Sequence, residues 1–444
     1  MLLNKQYFFS TKRQKRMKTF AGLTYRLILA CLVFLLTSVI LTAQNNNSAV
    51  LSLNDCITRA IQNSYRLQTD SLLSKSLQMV LKQERSAYYP QISANAWASG
   101  LFLSPYTFGQ HYLQAVADWD LGKPLKKTAE IQQKQIEQQQ VLSQQDRLEI
   151  ASVITGLYLD VLQNQLEMQI LHARLDYLNK HIEILNMMWQ AGTIQQLDIL
   201  QTRSTANNLQ EEMLQKELSG KQAKYAMSRI MGLNSPDEFL VNTITMPLPA
   251  TDIIEKVPDI WLQNHPQTLV LQKKYEKELL MKKNIEASYL PHLQMISGYT
   301  FDGDPTGDGN YILLGLGATI PIYSWKRKEY QLNEIDFAAG AIQTQKKNAE
   351  RDLSIRFDQV AAQIRQFKKI IDFQKVKLQN DREAAKVAEL NYQSGLATNL
   401  DFLTAQQKLT ETKLNINSIN NQYLKSVVAF WLLTNQIEKI KDIK

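Results

Sequence analysis

Helix breakers are scarce in this chain, with 16 glycines and 11 prolines among 444 residues. That scarcity argues against a string of small loop-rich globules and for long unbroken helices, which abundant Gln, Leu, Lys and Asn also favour. Cysteine is nearly absent, with two in all. Cys31 lies in an N-terminal apolar run, so Cys56 is left alone and a disulfide framework is excluded. His111, His172, His181, His265 and His292 show no metal-ligand spacing. Nucleophile motifs, Gly-rich phosphate loops and paired catalytic carboxylates are missing too. No enzyme, metal or cofactor is expected.

Long hydrophobic runs are also missing, apart from residues 27–42. Lys5, Lys12, Arg13, Lys15, Arg16, Lys18 and Arg26 precede that run without an acid, and Ala43-Gln44 opens a polar Asn-rich stretch. This is the layout of a secretory signal peptide over residues 1–43. The rival reading, a retained anchor, needs about 20 apolar residues to span a bilayer. Removing the leader leaves 43 Lys and Arg against 42 Asp and Glu, so the basic balance of the whole chain carries no argument for nucleic acid.

Two periods alternate along the remainder. A helical pattern from Leu51 to Arg85, with Ser52 or Asn54 as cap, stops at Pro90. Ile92, Ala94, Ala96 and Ala98 then alternate with polar neighbours. After a turn over residues 105–110, Leu113, Ala115, Ala117, Trp119 and Leu121 do the same. This predicts a β-hairpin over 91–121, with Trp97 and Val116 on its polar face. From Pro124 a helix runs without a breaker to about Met188, roughly 97 Å at 1.5 Å per residue. Leu171, Leu175, Leu178, Ile182, Leu185 and Trp189 give it a 4-3 seam of the coiled-coil kind. A return helix completes a helical hairpin over 124–231.

Residues 232–258, rich in proline, read as a linker, and then the pattern restarts. Gln62-Asn63 is echoed by Gln263-Asn264, and Tyr88-Tyr89-Pro90 by Tyr289-Leu290-Pro291, each displaced by 201 positions. A second β-hairpin is expected over 292–322, with a Gly/Asp loop at 302–310. A second helical hairpin follows over 329–433, its seam at Leu353, Phe357, Val360, Ile364, Phe367 and Ile371. The chain thus divides into a first repeat, 44–231, and a second, 259–444.

The turns of the two helical hairpins match closely. Gly192, Leu197, Asp198 and Leu200 recur 203 positions later as Gly395, Leu400, Asp401 and Leu403. Gly suits a left-handed helix stop, and Asp suits the cap of the outgoing helix.

Four strands with one apolar face and no globular core to cover it suit a bilayer-spanning barrel. Four cannot close, and open edges are not tolerated in lipid, so copies must share the barrel, as eight strands from two chains or twelve from three. The alternative is a secreted coiled-coil scaffold or adhesin, which would leave the apolar face of residues 312–322 exposed to water.

Several segments resemble the TolC-like outer membrane efflux protein family. They are Ala87-Tyr88-Tyr89-Pro90-Gln91, Ser288-Tyr289-Leu290-Pro291-His292, Ala318-Thr319-Ile320-Pro321-Ile322-Tyr323 and the paired Gly tips. The resemblance implies an α+β membrane protein built as a duplicated unit: two transmembrane strands plus a long antiparallel coiled-coil hairpin. It implies a homotrimer with a 12-stranded β-barrel in the outer membrane, continued by an α-helical periplasmic tunnel. Such a channel is the exit duct of efflux pumps and type I secretion systems, with a periplasmic adaptor and an inner-membrane pump as partners. By the same resemblance Asp198, Tyr392, Asp401 and Thr404 belong to the periplasmic aperture, Tyr392 and Asp198 forming a hydrogen bond between hairpins. Ala397 stands where the family has a basic residue. Gly192, Thr193, Leu197, Gly395, Leu396 and Leu400 are the implied adaptor-docking tips.

Overall fold

The computed structural model describes residues 49–103, 106–233, 239–243, 259–302 and 310–441. The expected signal peptide, most of the 232–258 linker and the 303–309 part of the Gly/Asp loop lie outside them. The described residues form two units. The small one centres on a two-stranded sheet of β1 (Ala49–Leu51) and β4 (Phe239–Val241). The large one holds everything else.

The large unit opens with α1 (Leu53–Asn63) and α2 (Tyr65–Ser86), where a single helix is expected. Ser64 divides them, because its hydroxyl accepts the Leu67 N–H and starts a new helix. Ser52 caps α1 through a reciprocal box with Asp55. Strands β2 (Gln91–Leu103) and β3 (Tyr106–Asp120) follow. Residues 106–110, expected as turn, are strand: Gln110 pairs with Ser99 and Tyr106 with Leu103. Pro124 sits in a short 3₁₀ turn, and α3 (Thr128–Gln190) begins only afterwards; α4 (Gln196–Met231) returns.

The same order recurs with α5 (Asp259–Asn264), α6 (Pro266–Ser288), β5 (His292–Asp302) and β6 (Asn310–Thr319), then α7 (Arg327–Gln393), α8 (Asn399–Leu433) and the short α9 (Ile437–Lys441). His265 caps α6 by accepting the Gln267 N–H at 3.2 Å, standing where Ser64 stands in the first half. Strand β6 stops at Thr319 rather than 322, since Pro321 has no N–H for a ladder. Helices α3 and α7, of 63 and 67 residues, run about 95 and 100 Å at 1.5 Å per residue.

The four long strands form one antiparallel sheet in the order β2-β3-β5-β6. Its register joins the halves, with Leu113 opposite Phe301 and Ala115 opposite Tyr299. One face carries Ile92, Ala94, Leu113, Ala115, Tyr299, Phe301, Ile312, Leu314 and Leu316. It is open, with Ile312 and Leu316 each 80% exposed. The opposite face is more polar, and there Gln114 donates to the Thr300 hydroxyl at 3.0 Å. Trp97 and Val116 fall on this second face, as the alternation requires.

The seams of both long helices differ in part from expectation. In α3 the buried stripe is Leu171, Arg174, Leu178, His181 and Leu185, whereas Leu175 and Ile182 are half-buried and Trp189 is exposed. The reason is that α3 packs against both α4 and α8, so its buried face is wider than a two-helix seam and takes in two polar side chains. In α7 Leu353, Phe357 and Ile364 of the expected seam are buried together with Ala361, whereas Val360, Phe367 and Ile371 are half-buried.

Candidate functional site at the helix tips

Each helical hairpin turns through the same backbone device. After α3, Gly192 adopts φ 72° and its N–H donates to the Trp189 carbonyl at 2.9 Å, while Thr193 N–H reaches Met188 at 3.0 Å. After α7, Gly395 adopts φ 70°, with its N–H on Tyr392 at 3.0 Å and Leu396 N–H on Asn391 at 2.8 Å. Both are Schellman turns, in which left-handed glycine lets two orphan carbonyls be satisfied. Around them Thr193, Leu197, Leu396 and Leu400 are exposed or largely so. The Thr193 hydroxyl also donates to Met188 at 2.8 Å.

The two aspartates are not equivalent, although the repeat aligns them. Asp401 closes a capping box: its carboxylate accepts from the Thr398 N–H at 3.0 Å and hydroxyl at 2.6 Å, and its own N–H donates back to that hydroxyl at 3.1 Å. The Thr398 bonds hold the Asp401 carboxyl below the usual carboxylate range. At the start of α4, Gln195 is the cap residue and supplies no side-chain bond. Asp198 acts through its backbone instead, its carbonyl accepting Asn399 Nδ2 at 3.1 Å. Thr404 is exposed and returns its hydroxyl to Leu400 at 2.7 Å.

The expected Tyr392–Asp198 hydrogen bond is not made. The Tyr392 hydroxyl is buried without a partner. Its ring is held by packing, stacked on Phe402 at 5.7 Å between centroids and edge-on to His181 at 5.6 Å. Burial and then the charge of Asp198 push its pKa upward.

Beside the tips, the hairpins are tied by a residue that repeat matching leaves out. Asn399, 2% exposed, donates to the Asp198 carbonyl and to Thr202 Oγ1, each at 3.1 Å, and its Oδ1 lies 3.1 Å from His181 Nε2. Nearby, Arg174 is buried, donates to Gln406 Oε1 at 3.2 Å, and is pushed down to about 10 by desolvation. A cavity of about 350 Å³ opens beside this cluster, lined by Tyr177, His181, Ile184, Glu389, Tyr392 and Phe402. The one signal in the sequence was phase: Arg174 and His181 fall at 3-4 spacing with Leu171, Leu178 and Leu185.

Among the described residues, no three His, Cys, Asp or Glu side chains lie close enough to hold a metal, and no helix is long and apolar enough to cross a membrane.

A family model described as outer membrane efflux protein matches residues 56–233 and 263–436. No curated protein sequence matches the chain. Among solved structures, the outer membrane protein VceC of Vibrio cholerae superposes with a TM-score of 0.75 at 17% identity, covering 86% of this chain and 95% of its own. The CmeC outer membrane channel of Campylobacter jejuni gives 0.74 at 14% identity, over 88% and 89% of the two chains. The open state of the MtrE outer membrane channel of Neisseria gonorrhoeae gives 0.71 at 16% identity, over 86% and 88%. At these identities the superpositions establish the fold.

Proposed function

The chain belongs to the outer membrane efflux protein family, and on that premise we propose that three copies close one twelve-stranded barrel continued by a helical tunnel into the periplasm. It is an outer-membrane exit duct for efflux pumps and not an enzyme. The observation that carries the assembly is the four-stranded sheet. Its apolar face is open, and β2 and β6 are edges within the protomer. An unpaired strand edge in hydrocarbon strands several N–H and C=O groups at a few kcal/mol each. Joining β6 of one copy to β2 of the next removes every edge and turns the apolar face to lipid.

The helical hairpins then line the duct, and their tips form its inner mouth. Asp198, Tyr392, Asp401 and Thr404 border that mouth in three copies, so the ionised Asp401 carboxylates give it a cation preference. Exposed Leu197, Leu396 and Leu400, with Gly192, Thr193 and Gly395 between them, form the surface on which a periplasmic adaptor docks to couple an inner-membrane pump. Pumps of the efflux or type I secretion kind fit this arrangement.

Purification from the outer-membrane fraction followed by planar-bilayer recording tests the reading. It predicts a protein soluble only in detergent that inserts as discrete cation-preferring channels. A protein soluble without detergent that never conducts would contradict it.

A further inference from the structure

Asn399 is the first residue of α8 and is nearly inaccessible, while its neighbour Leu400 is exposed. Its side-chain amide is used on every side. Nδ2 donates to two oxygens on α4, the carbonyl of Asp198 and the hydroxyl of Thr202. That hydroxyl is free to accept, because its own hydrogen goes to the Asp198 carbonyl at 2.8 Å. Oδ1 is left as an acceptor, so His181 Nε2 on α3 must carry the hydrogen that bridges them. Three helices from both hairpins therefore meet on one side chain.

His181 is 8% exposed, with the Phe402 ring 4.6 Å away. The charged and titratable groups around it come from three helices: Arg174, Tyr177 and Lys180 on α3, Asp198 on α4, Glu389 and Tyr392 on α7. Helix α8 presents the neutral Asn399 and Phe402. Burial opposes an imidazolium here and Arg174 repels one, while Asn399, Glu389 and Asp198 favour it; burial dominates, and the histidine is lowered from its ordinary value.

We propose that Asn399, positioned by His181, fastens the two hairpins together at the inner mouth, and that a proton on His181 loosens the fastening. The proposal rests on the channel reading above. The sign follows from solvation: fastened, the imidazole is buried and resists a proton; loosened, it is hydrated and takes one near its usual pKa of about 6.5. The fastening is therefore complete above about pH 6.5 and weakens as pH falls below it, levelling off below the depressed value. Loosened, the two tips of each protomer can part and widen the mouth that three copies border.

Planar-bilayer conductance of the intact protein at about pH 7.5 and about pH 5.5 tests both halves. His181→Gln keeps an N–H in place of the Nε2 donor but does not titrate; Asn399→Leu removes the fastening. The expected pattern is a wild-type conductance that rises several-fold in acid, H181Q low at both pH values, and N399L high at both. An N399L channel matching wild type at both values would overturn the fastening. A wild type without an acid response, or an H181Q channel that retains one or stands open at both values, would overturn the proton step. Hydrogen exchange on the wild type alone covers the case in which the variants misfold: after correction for intrinsic rates, amides of residues 399–403 should exchange faster in acid, and equal protection would count against the proposal. No conductance from any intact preparation would instead refute the channel reading.

Discussion

Gly192 and Gly395 hold the same left-handed conformation, at φ 72° and 70°, and at neither would a Cβ meet another atom within 4 Å. Each tip is thus closed by backbone geometry and left bare on its outside. A side chain added there costs backbone strain of about 1–2 kcal/mol and no steric clash within the protomer.

Gly395→Leu separates folding from docking for that reason. The variant is expected to reach the outer membrane as an intact oligomer while export fails and crosslinking to the adaptor is lost. Loss of oligomer and export together would make Gly395 a folding residue only; retention of both would remove the tip from the docking surface.

Two helical glycines should respond in opposite directions. A Cβ at Gly220 on α4 would run into the Asn164 carboxamide, whose Nδ2 donates to the Lys216 carbonyl at 2.8 Å and to Ser219 Oγ at 3.1 Å. Gly220→Ala should therefore lose about 1–3 kcal/mol with those bonds and regain about 1 kcal/mol from helix propensity, a net cost of up to about 2 kcal/mol. Gly340 on α7 faces open space, and Gly340→Ala should gain about 1 kcal/mol from helix propensity. Thermal unfolding in detergent reads both, and the same sign at the two sites would contradict the α3–α4 packing described.

The sheet's two faces were legible in the sequence because a period of two survives whatever packs against it. Half of the α7 seam, Leu353, Phe357 and Ile364, was legible for the same kind of reason. Arg174, His181 and Asn399 were not, because a polar residue in a Gln-rich helix reads as solvent-facing, and only the docking of α3 on two partners at once buries it. The Ser64 break was hidden too: a serine cap restarts a helix without any Gly or Pro to announce it. Conversely the aligned pair Asp198 and Asp401 read as equivalents, yet only Asp401 has a hydroxyl at the cap position three residues earlier.

Adjacent residues on β6 test which face meets lipid. Leu314 lies on the apolar face, and Gly315 faces the other way with room for a side chain. Leu314→Arg should cost about 2–4 kcal/mol in the bilayer and lower the yield of folded outer-membrane protein, whereas Gly315→Arg should assemble normally. The reverse order of yields would invert the assignment of faces.

Cys56 on α1 is buried, and burial pushes its thiol up to about 12. At about pH 8 the thiolate population is negligible, so a disulfide reagent should modify the mature protein only after denaturation. Prompt stoichiometric modification of the native protein would show that α1 is not packed as described.

Three chains are needed to complete one barrel of twelve strands. Native mass spectrometry of the protein released from detergent counts the chains directly. Three copies of the mature chain are expected in the particle; one copy, two copies or an open-ended series would rule out the shared twelve-stranded barrel.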